Sequence, residues 1–176
     1  MHDIDDWSHF PGDLCAAACI PAGHELLLAR RNTARLLARG ATEAGARHYP
    51  LLVAMHFVWL SSLWIWGHGH PLNPVWLGGF VVLQCLRVWI ILSLGARWTT
   101  RIVVLPGAPL VATGPYRFMS HPNYAVVVCE IAVLPLALGL PLIALVFTAA
   151  NAWILSIRLR AENRALTYVS RTQAVE

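Results

Sequence analysis

The sequence predicts an all-α integral membrane protein, a single domain over residues 1–176, with about five transmembrane helices that end in a helical hairpin. Three observations carry this prediction. The chain is 57% hydrophobic and only 12% charged, whereas a soluble domain carries about 25% charged residues. Its apolar residues are gathered into runs close to the roughly 20 residues that cross a bilayer as a helix. Twelve of its thirteen arginines fall in segments that an odd number of spans would place on one side.

Taken in order, Leu14–Leu28 is the first expected span, long enough and rich in Ala and Leu although it holds Pro21, His24 and Glu25. Leu51–Trp66 and Val75–Leu94 are the second and third. Ala125–Leu138 and Leu142–Ile157 read as the hairpin, broken at Pro135 and at the Gly139–Pro141 turn. Arg30, Arg31, Arg35, Arg39 and Arg47 follow the first span, Arg97, Arg101 and Arg117 the third, and Arg158, Arg160, Arg164 and Arg171 the fifth. The connections Gly67–Pro74 and Gly139–Pro141 carry none. Positive charge stays in the cytoplasm, so the N-terminus is expected outside and the C-terminus inside.

Several functional classes recede at this point. The basic residues flank apolar segments and form no patch, so no nucleic-acid partner is expected. Cys15, Cys19, Cys85 and Cys129 lie in apolar runs without paired spacing, which argues against both a disulfide framework and a zinc site. The acidic start MHDIDDWSHFPGD lacks the basic region of a signal peptide. Internal repeats, common in transporters, are not visible, and no Gly-rich dinucleotide fingerprint follows a strand pattern.

Polar chemistry concentrates in two places. Gly95 to Asn123 packs Gly, Pro, His, Asn, Tyr and Arg between apolar runs, and Arg158 and Glu162 stand four apart where the last run meets water. Gly114-Pro115 and His121-Pro122 are turn punctuators that make Gly114–Tyr124 a compact loop entering the fourth span. Asn123 is positioned to cap that helix, whose free N–H groups attract a carboxylate. The loop is either a capped helix entry with an interfacial Tyr or a ligand cradle. Arg158 and Glu162 share a helix face. They are either an ordinary ion pair or, respectively, a contact for an acidic substrate group and an acceptor for a ligand amine or ribose.

GPYRFMSHPNY (114–124) is similar to the Gly-x-Tyr-x-x-x-Arg-His-Pro-x-Tyr signature of the isoprenylcysteine carboxyl methyltransferase family, and RLRAENRAL (158–166) to its Arg-x-x-x-Glu-Glu-x-x-Leu signature. The resemblance runs from Arg97 to Leu166. It implies a membrane methyltransferase that binds S-adenosyl-L-methionine as methyl donor under cytosolic loops, without a Rossmann fold, and takes a lipid from the bilayer. By matching position, Leu110, Val111, Gly114, Tyr116, His121, Pro122, Asn123, Tyr124 and Glu162 would hold the cofactor. Arg158 would meet the substrate head group as the catalytic residue. Ser120 stands where the family usually has Arg, and Asn163 replaces the second Glu. These departures bear on the substrate more than on the fold.

ARHYPLLVAMH (46–56), SLGARWTTRIVVLPGAPLVATGPYRF (93–118) and HPNYAVVV (121–128) resemble a small bacterial branch of the family. That branch sits beside type III polyketide synthases, a possible functional partner, and O-methylates alkylpyrones or phenolic lipids. A carboxylate acceptor needs no base, whereas an enol or phenol needs its proton removed or its charge stabilised. Arg158 is the first candidate for that task, with His121 or Tyr116 as helpers. The rival reading is a non-catalytic lipid- or quinone-binding membrane protein.

Intramembrane ionisable groups are functional candidates, here Glu25, His56, Arg87 and Glu130, with an Arg87–Glu130 structural pair as the alternative. His68 and His70 form an HxH in an outside loop, where metal binding is disfavoured.

Overall fold

The structure, a computed structural model, describes residues 10–109 and 111–173. Leu110, one of the expected cofactor contacts, lies outside the described residues. The protein is an all-helical membrane protein built from α1 (Phe10–Ala38), α2 (Tyr49–Trp66), α3 (Pro74–Leu94), α4 (Pro122–Ala137) and α5 (Pro141–Gln173). Three described segments, Ala46–Trp66, Pro74–Arg97 and Pro141–Ala165, are long and apolar enough to cross a membrane, and α4 is apolar but shorter.

Local chemistry sets the helix ends. Asn73 caps α3 by accepting from the Val75 and Trp76 amides at 3.0 and 3.4 Å, with Pro74 at the first helical position. Gly139 turns α4 into α5 at φ +69°, a left-handed value that suits glycine. The hairpin expectation holds, but not the break at Pro135: α4 continues through it to Ala137. Proline there loses only one ladder bond, and Leu138 and Leu140 still close on the Pro135 carbonyl at 3.1 and 2.8 Å. Nor does Asn123 cap α4. His121 holds that position, and no side chain caps the helix.

Two features go beyond the sequence expectation. α1 runs on past Leu28 to Ala38, so Arg30, Arg31 and Arg35 belong to a helix and not to a loop. A small antiparallel sheet pairs β1 (Thr42–Ala44) with β2 (Ile102–Val104), Thr42 opposite Val104.

The core lies between α2, α3, α4 and α5, where Trp59 and Leu63 meet Phe80, Ile131, Leu134 and Ile154. A second cluster joins Ala29, Ile90, Trp98 and Val126. Asn32 ties α1 to the turn after α3, its amide donating to the Gly95 and Trp98 carbonyls at 3.1 and 3.0 Å. Phe57, Val75, Leu92 and Leu142 face outward from the helices. Such an apolar exterior on helices that satisfy their own backbone suits lipid.

The connections gather at two ends. At one, Arg101, just before β2, donates to both Glu43 oxygens of β1 at 2.9 and 3.0 Å, and Arg158 of α5 donates to the Thr100 carbonyl at 3.0 Å. At the other, the Asn73 amide donates to the Ala137 carbonyl at 2.9 Å, and Gly139 lies beside His70. The arginine-bearing segments therefore share one end of the bundle.

Candidate active site

A cavity of about 900 Å³ opens among the loops between α3 and α4 and runs down into the helices. That volume is within the range of small-molecule sites. Its lining changes character with depth. The loop end presents Tyr116, His121, Asn123, Tyr124, Arg158 and Glu162, and the inner end presents Glu25, His56, Gln84, Arg87 and Glu130.

At the loop end, Glu162 on α5 accepts a hydrogen bond from the Tyr124 hydroxyl at 2.8 Å through Oε2. His121 Nδ1 lies 3.9 Å from the same oxygen. The His121 and Tyr124 rings stack at 5.3 Å with planes 7° apart, forming a flat aromatic wall. Asn123, just inside α4, buries Oδ1 without a partner among the described residues. Arg158 is 5% exposed; one Nη donates to Thr100 while its Nε is buried and unpartnered. Arg158 and Glu162 form no ion pair with each other among the described residues. Burial, and after it the Glu162 charge, pushes the Tyr116 phenol up to about 12. At neutral pH Tyr116 is therefore a donor and not a base.

Gly114 holds this loop in place. Its φ is +57°, and a Cβ there would meet Ser93 Oγ at 2.1 Å, so only glycine lets the loop seat against α3. Gly114 and Pro122 shape the site without lining the cavity, while Val111, Tyr116, His121, Asn123, Tyr124, Arg158 and Glu162 all line it. Ser120 and Asn163, the two departures from the family pattern, line it as well.

At the inner end, Arg87 of α3 makes a two-point contact with Glu130 of α4, its Nε donating to Oε1 at 2.8 Å and one Nη to Oε2. Its other Nη reaches Glu25 of α1 at 3.1 Å, and Gln84 adds a bond to Glu130 at 2.8 Å. The expected pair is thus a three-helix cluster. Sequence reasoning missed Gln84 and Trp59. Each stands three residues from a residue that was singled out, Arg87 or His56, so helical spacing was the available signal. His68, in the loop of the HxH, instead closes α2 by a contact from Nδ1 to the Trp64 carbonyl.

The loop end fits the donor that the signatures imply. Glu162 and the orphaned Asn123 Oδ1 supply acceptors for amine and hydroxyl groups, and the aromatic wall offers a face to an adenine ring or a sulfonium. An apolar helical bundle whose polar loops close a pocket among the helices is the architecture of an integral membrane protein with an internal site. The isoprenylcysteine carboxyl methyltransferase (ICMT) family profile matches residues 76–168, more than half of the chain, and the protein belongs to that family of methyltransferases. Members generally use S-adenosylmethionine.

The chain is 40% identical over 159 residues to YpbQ of Bacillus subtilis (strain 168), described as uncharacterized, covering 87% of this chain and 94% of that protein. It is 25% identical over 160 residues to an uncharacterized protein of Haemophilus influenzae (strain ATCC 51907 / DSM 11121 / KW20 / Rd), covering 86% and 93%. No solved structure matches it.

Proposed function

We propose that the protein is an S-adenosylmethionine-dependent O-methyltransferase that methylates a lipophilic acceptor, an alkylpyrone or phenolic lipid in preference to a prenylcysteine carboxylate. The observation that carries this reading is the cavity that joins the signature loop to polar groups among the helices. S-adenosylmethionine supplies an electrophilic methyl group on a sulfonium. The chain's own task is to align the acceptor oxygen with it and to keep water out. Glu162, with Asn123 and the His121–Tyr124 wall, holds the donor; Arg158, nearer the bilayer on the same helix, meets the acceptor's developing negative charge. A cytosolic loop end would give the donor direct access from the cytoplasm of a bacterial inner membrane. A type III polyketide synthase is the kind of partner that would supply such an acceptor.

Calorimetry on detergent-purified protein tests the donor site. S-adenosylmethionine should bind, and Glu162→Ala should lose about 1.5–3 kcal/mol, roughly 10- to 150-fold in affinity. Unchanged affinity in that variant would refute the assignment. Membranes given methyl-labelled donor should then label an added alkylpyrone. Label in prenylcysteine alone would move the acceptor class, and label in neither, with binding retained, would favour a lipid-binding protein.

A further inference from the structure

The inner end of the cavity holds one group whose chemistry is still unused. Arg87 is fully engaged, its three nitrogens donating to Glu130 and Glu25, and Glu130 has both oxygens occupied by Arg87 and Gln84. These residues hold one another and leave little to offer a ligand. His56 is different. Its Nδ1 lies 2.9 Å from the Leu52 carbonyl. A carbonyl only accepts, so in the neutral ring the proton sits on Nδ1 and the lone pair on Nε2. Nε2 has no partner among the described residues, and His56 lines the cavity. Beside it stands Trp59, also lining the cavity, its ring edge-on to the imidazole at 6.3 Å and its N–H buried without a partner. With the unpartnered Arg158 Nε, the wall therefore presents one free acceptor and two free donors. Buried polar atoms normally find partners; the Trp59 N–H and Arg158 Nε have none, and a ligand can supply them.

We propose that His56 Nε2 is the proton acceptor for a hydroxyl group on the lipophilic ligand, so that the cavity takes neutral phenols or enols and not carboxylates. This rests on the reading that the cavity holds the methyl acceptor. The ligand O–H bond breaks, its proton passes to the Nε2 lone pair, and the bonding electrons stay on the oxygen, which becomes the nucleophile. The imidazole becomes imidazolium and later returns the proton to water. Four charged groups surround the ring: Glu25 of α1, Arg87 of α3, Glu130 of α4 and Arg158 of α5. Two carboxylates and two guanidiniums balance, so the group carries no net charge. A carboxylate ligand, already ionised, has no proton to give to Nε2. Arg158, as a cation, stabilises the oxyanion left on the ligand. Trp59 adds a neutral donor for the same oxygen or a neighbouring carbonyl.

The test needs no methyl donor, so it stands or fails separately from the methyltransferase reading. Protein with isotope-labelled histidine rings is studied by NMR in detergent, and the His56 signals are assigned by their loss in His56→Gln. A long-chain para-alkylphenol should move the Nε2 signal toward its protonated position. The corresponding alkyl methyl ether fills the same space without an O–H and should leave it in place. The phenol should also bind roughly 2- to 10-fold more tightly than the ether, a preference that His56→Gln abolishes. An Nε2 signal unmoved by the phenol, or moved equally by phenol and ether, overturns the proposal. Should His56→Gln fail to fold, the phenol and ether still give this comparison in the wild-type protein, where the responding ring is recognised by its Nδ1-protonated tautomer.

Discussion

Arg158 and Glu162 lie one helical turn apart on α5, and both act on Tyr124. Glu162 is tied to Tyr124 of the loop end, whereas Arg158 is almost fully buried and turned toward Thr100, with Nε unpartnered. The sequence could place both on one face, but it could not tell an internal ion pair from two ligand contacts, because spacing alone allows both. The separation has a kinetic consequence. Arg158→Ala should leave donor affinity nearly unchanged while methyl transfer falls, the loss in kcat/KM giving the transition-state stabilisation removed. Arg158→Lys should restore part of it, since the charge returns without the planar fork. Calorimetry and labelled transfer on the same preparations check this; parallel loss of affinity and rate would place Arg158 in the donor site instead. Tyr116 was legible as a site residue, but its role as a possible base was not settled by sequence. A phenol is protonated at neutral pH in any case, and burial beside Glu162, which pushes it up to about 12, moves it further from acting as a base.

Among the elements, the apolar runs gave all the helices of the bundle and the hairpin, because an uninterrupted apolar run has few other uses. The errors were at the ends. Arg30, Arg31 and Arg35 read as a loop because charge marks a membrane exit, but arginine is a good helix former and α1 continues through them. Strands three residues long leave no alternating pattern to detect, so β1 and β2 were invisible. What holds α1 to α3 and α4 at depth is the Glu25–Arg87–Glu130 cluster. Only the Arg87–Glu130 half was foreseen, since the partner of a lone buried charge is fixed by packing. Arg87→Ala leaves two carboxylates facing each other without a counter-ion and should destabilise the fold by about 3–5 kcal/mol. Adding Glu130→Leu to it should recover much of that loss, because the surplus charge goes too. Unfolding midpoints of the single and double variants in detergent measure both, and a double variant as weak as the single would show that the cluster is not acting through charge.

At the scale of the whole molecule, the asymmetry of arginine along the chain becomes an asymmetry in space. The turn before α2, the segment from Arg97 to Arg117 and the membrane exit of α5 meet at one end, joined through Arg101, Glu43, Thr100 and Arg158. The loops at 67–73 and 139–140 meet at the other, joined through Asn73 and Ala137. This much was legible in the sequence, because the positive-inside rule reads charge without needing the fold. The cavity was not, since it is made by helices far apart in the chain. Orientation decides whether its loop end faces a cytosolic methyl donor, and single cysteines on a background with Cys15, Cys19, Cys85 and Cys129 replaced can test it. Arg117→Cys, exposed within the signature loop, should react with a membrane-impermeant thiol reagent only in inside-out vesicles. His70→Cys, exposed at the far end, should react only from the outer face of intact cells. His70 is a better site than its neighbour Gly69, whose φ of +79° would strain any residue with a Cβ. The opposite labelling pattern would put the loop end outside, away from the cytosolic pool of donor, and would remove the proposed reaction along with the orientation.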